Sequence, residues 1–107
     1  MKCSLNELDF KIICKFVELP ENQSMTTWEL MKKIYTKEHH KDKEHLMIRR
    51  HIKKMSECGI FDIKKIHGVL IYTLISEALI NNCKLKEGKI NKNISIKIEG
   101  RWWIKEL

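Results

Sequence analysis

The chain has 107 residues, 43% of them hydrophobic, and its 21 Lys and Arg against 14 Asp and Glu give a formal net charge of +7. That length fits one domain with a modest core, little of it left to enclose a deep substrate cavity, and that hydrophobic share excludes a disordered chain. A pI near 9.3 is the electrostatic footprint of a protein whose partner is a polyanion, nucleic acid before others.

Residues 4–19 are expected to form a first helix. Ser4 and Glu7 have capping-box spacing, and Leu5, Leu8, Ile12, Phe16 and Leu19 recur at three- and four-residue steps as one buried stripe. Pro20 ends it, and Glu21-Asn22-Gln23-Ser24 reads as a polar loop. A second helix starts at Thr26 or Thr27 with another capping box, Thr26 to Glu29, and takes its apolar side from Trp28, Met31, Ile34 and Tyr35. The stretch 36–41 reads as a polar connection. Asp42 is a good N-cap for a third helix over 43–58, and Gly59 suits the left-handed residue that closes it. Beyond Gly59 the period changes: 60–66 and 69–75 are β-rich runs around His67-Gly68, a hairpin signal. Ser76 to Cys83 is compatible with a short fourth helix, and the sequence leaves the structure of 77–92 open. In the tail Ile94, Ile96 and Ile98 alternate, Glu99-Gly100 marks a turn, and Arg101-Trp102-Trp103-Ile104 completes a second hairpin.

The order helix, helix, helix, hairpin, with Gly59 closing the third helix and the string CGIFDI…GVLIYTLI running from it, resembles the winged helix–turn–helix DNA-binding family of prokaryotes, archaea and their viruses. The resemblance covers about residues 4–76. It implies an α+β fold, a three-helix winged helix–turn–helix with a β-hairpin wing. In this family the third helix enters the major groove and the wing touches the flanking backbone. Residues 77–107 are expected as a C-terminal β extension of the same single domain. One departure from the family is the connection between the second and third helices, longer than the usual turn.

The third helix also carries an argument of its own. At about 100° per residue, Met47, Ile48, His51, Ile52, Met55 and Cys58 fall on one side. Lys43, Arg49, Arg50, Lys53, Lys54 and Glu57 fall on the other, with Leu46. Arginine can grip guanine O6 and N7 with two bonds, and an apolar side chain can meet a thymine methyl. Arg49 is therefore expected at a base edge with Lys53 one turn on, and Lys43, Arg50 and Lys54 at phosphates, which fix position rather than read sequence. Lys64, Lys65 and His67 near the hairpin tip are expected on the flanking backbone. A charged outward face is also what any solvated helix shows. Against that, two of the three arginines in a lysine-dominated chain stand here.

Other constellations are weaker. His39, His40 and His45 invite a metal, but no paired cysteines complete a zinc set, so neither metal nor cofactor is expected. Cys3, Cys14, Cys58 and Cys83 contain no CxxC and are expected as reduced thiols, Cys14 and Cys58 buried on or beside apolar helical faces. No Gly-rich phosphate loop, G-x-S-x-G or HExxH occurs, so the protein is not expected to be an enzyme. No apolar run reaches the about 18–20 residues of a membrane span, and Met1-Lys2-Cys3-Ser4 shows no signal peptide, which predicts a cytoplasmic protein with no membrane partner. Trp102 and Trp103, adjacent on a strand, face opposite ways; one is expected on the core and the other either exposed or covered by a partner, with a homodimer contact the functional alternative to a tail that folds back over the first helix. The expected function is double-stranded DNA binding as a transcriptional regulator. The rival is a module for protein contacts through the C-terminal hairpin. RNA binding is disfavoured by an aromatic fraction of 7% with no stacking platform.

Overall fold

The structure, a computed structural model, describes residues 3–20, 23–35 and 42–106. The expected connection at 36–41, with His39 and His40, lies outside the described residues.

Helix α1 spans Glu7–Val17, shorter than expected, because Asn6 rather than Ser4 caps it. The Asn6 amide donates to Asp9 Oδ2 at 2.8 Å and the Asp9 amide to Asn6 Oδ1 at 3.1 Å, the same reciprocal arrangement two residues later in the chain. Strand β1 is Ser24–Thr26, and α2 follows at once over Thr27–Ile34 with the predicted Thr26–Glu29 capping box. Helix α3 spans Asp42–Glu57 and buries Ile48, Ile52 and Met55, whereas Met47, expected beside them, is exposed. Gly59, at φ +77°, turns the chain out of it. Strands β2 (Phe61–Ile66) and β3 (Val69–Leu74) meet at His67 and Gly68, both at positive φ, as a tight two-residue hairpin requires.

The expected three-helix winged helix–turn–helix domain is not what the chain forms. Among the described residues there are three helices and two three-stranded antiparallel sheets, a strand-rich mixed α+β arrangement. The 61–74 hairpin is no free wing. Its β3 lies in the middle of a sheet of order β1-β3-β2, with Met25 opposite Tyr72 and Ile63 opposite Tyr72 from the other side. The tail is a sheet of its own, order β4-β5-β6, built from Ala78–Lys84, Ile90–Ile98 and Arg101–Glu106. The segment 76–83, which the sequence leaves open to a short fourth helix, instead runs into strand β4. Its residues form a ladder with β5, Ala78 opposite Ile96 and Ile80 opposite Ile94, and that pairing overrides the weak local preference of a short apolar run.

Ile94, Ile96 and Ile98 of β5 are buried in the same cluster as Ile12 and Ile13 of α1, Leu30 of α2 and Ile52 of α3. Phe16 and Phe61 meet edge-on within it, their ring centroids 4.8 Å apart. Cys3 and Cys58 are joined in a disulfide, Cα atoms 5.7 Å apart, which ties the N-terminal segment to the end of α3. The expectation of reduced, buried thiols thus fails for this pair. Cys14 is half-buried and Cys83 exposed. Among the described residues no helix is long and apolar enough to cross a membrane.

Candidate nucleic-acid interface

Two neighbours fix how α3 presents its outward face. On one side stands α1, whose Asp9 is fully buried, its side chain 0% exposed. A carboxylate removed from water needs partners. Asp9 has three: the Asn6 amide, His51 Nδ1 at 2.6 Å and the Lys54 ammonium. His51 and Lys54 stand three apart on α3, so one carboxylate holds one stripe of the helix against α1. Lys54 was expected at a DNA phosphate; its charge is instead committed to Asp9.

On the other side lies the sheet face of β2 and β3. Alternation along the strands puts Phe61, Ile63 and Lys65 with Leu70 and Tyr72 toward α3, and Asp62, Lys64 and Ile66 on the reverse. Tyr72 is buried and its hydroxyl shares a 2.6 Å hydrogen bond with Thr27 Oγ1, which locks α2 to the sheet. Burial pushes the Tyr72 phenol above its ordinary range, against the opposite pull of the Thr27 bond and of Arg49 nearby.

Between α3 and this sheet face runs an open groove of about 610 Å³. Leu46, Arg49, Arg50 and Lys53, with Ser56 and the acidic Glu57 at the C-terminal end of α3, form one wall, and Ile63, Leu70 and Tyr72 the other. It continues toward the hairpin tip as a smaller recess of about 300 Å³, where Arg49 meets Lys65, His45 and Gly68. Arg49 lines both. Of the residues singled out from sequence, the structure thus places Leu46, Arg49, Arg50 and Lys53 around the groove and Lys65 in the adjoining recess with Arg49. Lys43 is exposed on the first turn of α3, and His67 is exposed at the hairpin turn. Lys64 points away, on the reverse of the sheet. No ion pair among the described residues engages Arg49, Arg50, Lys53 or Lys65.

The tail differs from expectation in its tryptophans as well. Neither tryptophan packs into the core: Trp102 is 46% and Trp103 50% exposed, and Ile104 beside them 68%. Both sit on β6, an edge strand. Trp103 lies opposite the buried Ile96 but overhangs the edge of the core, while Lys97 Nζ stands 6.0 Å from the Trp102 ring centroid. Sequence reasoning missed the Asp9 cluster altogether. Its only local trace is the i, i+3 spacing of His51 and Lys54.

Compared with known proteins, the chain matches no family model, no curated protein and no solved structure.

Proposed function

We propose that the protein binds double-stranded DNA through the outward face of α3 and the adjoining β2–β3 hairpin, acting in the cytoplasm as a transcriptional regulator. One observation carries this reading: Arg49, Arg50 and Lys53 line a groove that also offers Leu46, Arg49 reaches the adjoining recess that Lys65 lines, and the neighbouring Lys54 is paired with Asp9. Guanidinium groups engaged in no ion pair among the described residues, beside an apolar side chain, match the donor and methyl pattern of base edges, and the lysines match phosphates. The test is fluorescence anisotropy of a labelled random duplex of about 25 base pairs, titrated in salt. Micromolar binding that weakens steeply with salt and disappears in an Arg49→Ala/Lys53→Ala variant supports the reading. Binding indifferent to those two residues, or absent at about 50 mM salt, ends it.

A second reading, protein contact through the tail, is favoured by the bare Trp102-Trp103-Ile104 edge. An edge strand with two half-exposed tryptophans and open backbone groups is a template for another strand, and a second copy of β6 is the simplest occupant. Sedimentation should then show a dimer that Ile104→Lys dissolves; a monomer at high micromolar concentration removes this reading.

A further inference from the structure

We infer that the β4–β5 ribbon is a second duplex-DNA contact, an arm whose lysines meet phosphates and whose end carries an apolar wedge for a base step. The inference rests on the duplex-binding reading above but concerns a different part of the molecule. Over the described residues β6 accompanies β5 as far as Asn93, opposite Glu106. Among those residues the pairs Asn82–Lys92, Cys83–Asn91 and Lys84–Ile90 form a two-stranded ribbon. Residues 81–90 and Lys92 are exposed and Asn91 is half-buried, so the face of Asn82, Lys84, Ile90 and Lys92 is open. Three strand residues extend about 10 Å, comparable with the depth of a DNA groove, before the turn at Gly88 adds to the reach.

A two-stranded ribbon is marginal in water. This one nevertheless holds Leu85 (47% exposed) and Ile90 (67% exposed) bare at its end. A partner that covered them would stabilise it, and the charge says what kind. Lys84, Lys86, Lys89 and Lys92 face a single acid, Glu87, whose exposed contact with Lys89 at 3.8 Å contributes little. The register sorts the side chains further: Lys84, Ile90 and Lys92 share one face with Asn82, and Asn81, Cys83, Asn91 and Asn93 share the other. Lysine and asparagine with a terminal Leu or Ile is the chemistry by which side chains follow a groove and unstack a step. An anionic lipid surface fits less well, since four asparagine amides would lose water there without gaining partners.

Cys83 supplies the test. A photocrosslinker attached to it in a Cys14→Ala background places the probe on the arm, in place of the thiol that accepts from Asn93 Nδ2. Illumination with the random duplex should crosslink Cys83 to DNA. In parallel, replacing Lys84, Lys86, Lys89 and Lys92 with Gln should weaken duplex binding at least tenfold and lower the salt slope by about 2–4. Absence of a crosslink together with an unchanged slope overturns the arm, and if Arg49→Ala/Lys53→Ala still abolishes binding, the α3 reading survives alone. Loss of binding only in the arm variant supports the arm and overturns α3. A wild-type protein that binds no duplex, or that sediments with phosphatidylserine vesicles in preference to duplex, overturns the arm.

Discussion

The two sheets are held to the helices by different means. The first, β1-β3-β2, is joined to α2 by a directed polar contact as well as packing, Tyr72 to Thr27 in the interior; Ser24 to Thr73 at 2.6 Å ties two of its own strands, and Asp9 of α1 fastens the adjoining α3. The second, β4-β5-β6, relies on a stripe of isoleucines laid against α1, with Lys105 Nζ 5.4 Å from the Phe10 ring. Its described ion pairs, Lys97–Glu77 and Lys89–Glu87, are solvent-exposed and contribute little. Directed bonds fix an orientation, and an apolar stripe fixes only proximity. The groove therefore belongs to the part of the molecule whose geometry is specified most closely, and the arm to the part left free to adapt.

The comparison breaks first at Ile96. If the isoleucine stripe is what joins the second sheet to the rest, Ile96→Ala removes a fully buried side chain at the joint and should cost about 3–4 kcal/mol. Urea unfolding followed by tryptophan fluorescence and by circular dichroism checks it. Coincident transitions shifted together mean one shared core; a fluorescence transition that separates from the helical signal means the second sheet stands apart.

Asp9 comes next. Asp9→Ala removes a cap acceptor and the shared partner of His51 and Lys54, and should cost about 2–3 kcal/mol; Lys54 is exposed enough to recover water, which keeps the loss below that of a fully buried pair. The same variant frees the Lys54 ammonium beside the groove. Duplex affinity measured on the folded fraction should therefore rise slightly even as stability falls. A fall in both would mean that Asp9 matters for the placement of α3 more than for its charge.

How these features stood in the sequence follows from how local their causes are. The Thr26–Glu29 capping box, the His67-Gly68 turn and the alternation of Ile94, Ile96 and Ile98 are legible because each is decided within a few residues. So is the cationic face of α3, which needs only the helical period. Ser24–Thr26 is not legible as a strand. Three residues among polar neighbours show no period, and their strand character comes wholly from pairing with β3 some 49 residues away, as Ser24 with Thr73 shows. The same holds for β4, where a local reading leaves a helix open and the ladder with β5 gives a strand. At the site, the wheel places Lys54 with the other cations but cannot see Asp9, 45 residues back in the chain. The Cys3–Cys58 bridge spans 55 residues and is equally invisible to spacing rules.

The smallest predicted effect is the sharpest discriminator, because it compares neighbours with the same side chain. Lys64 and Lys65 are indistinguishable by composition or by nearness to the hairpin tip, yet the register puts Lys65 in the recess with Arg49 and Lys64 on the reverse of the sheet, opposite Ile71. If the groove is the duplex contact, Lys65→Ala should weaken binding by about two- to fivefold and lower the salt slope by about one, the signature of a single lost phosphate contact. Lys64→Ala should change neither. Equal losses from both would show that the hairpin attracts DNA by charge alone, with no preferred face, and the directed contacts that orient the first sheet would then have no bearing on binding.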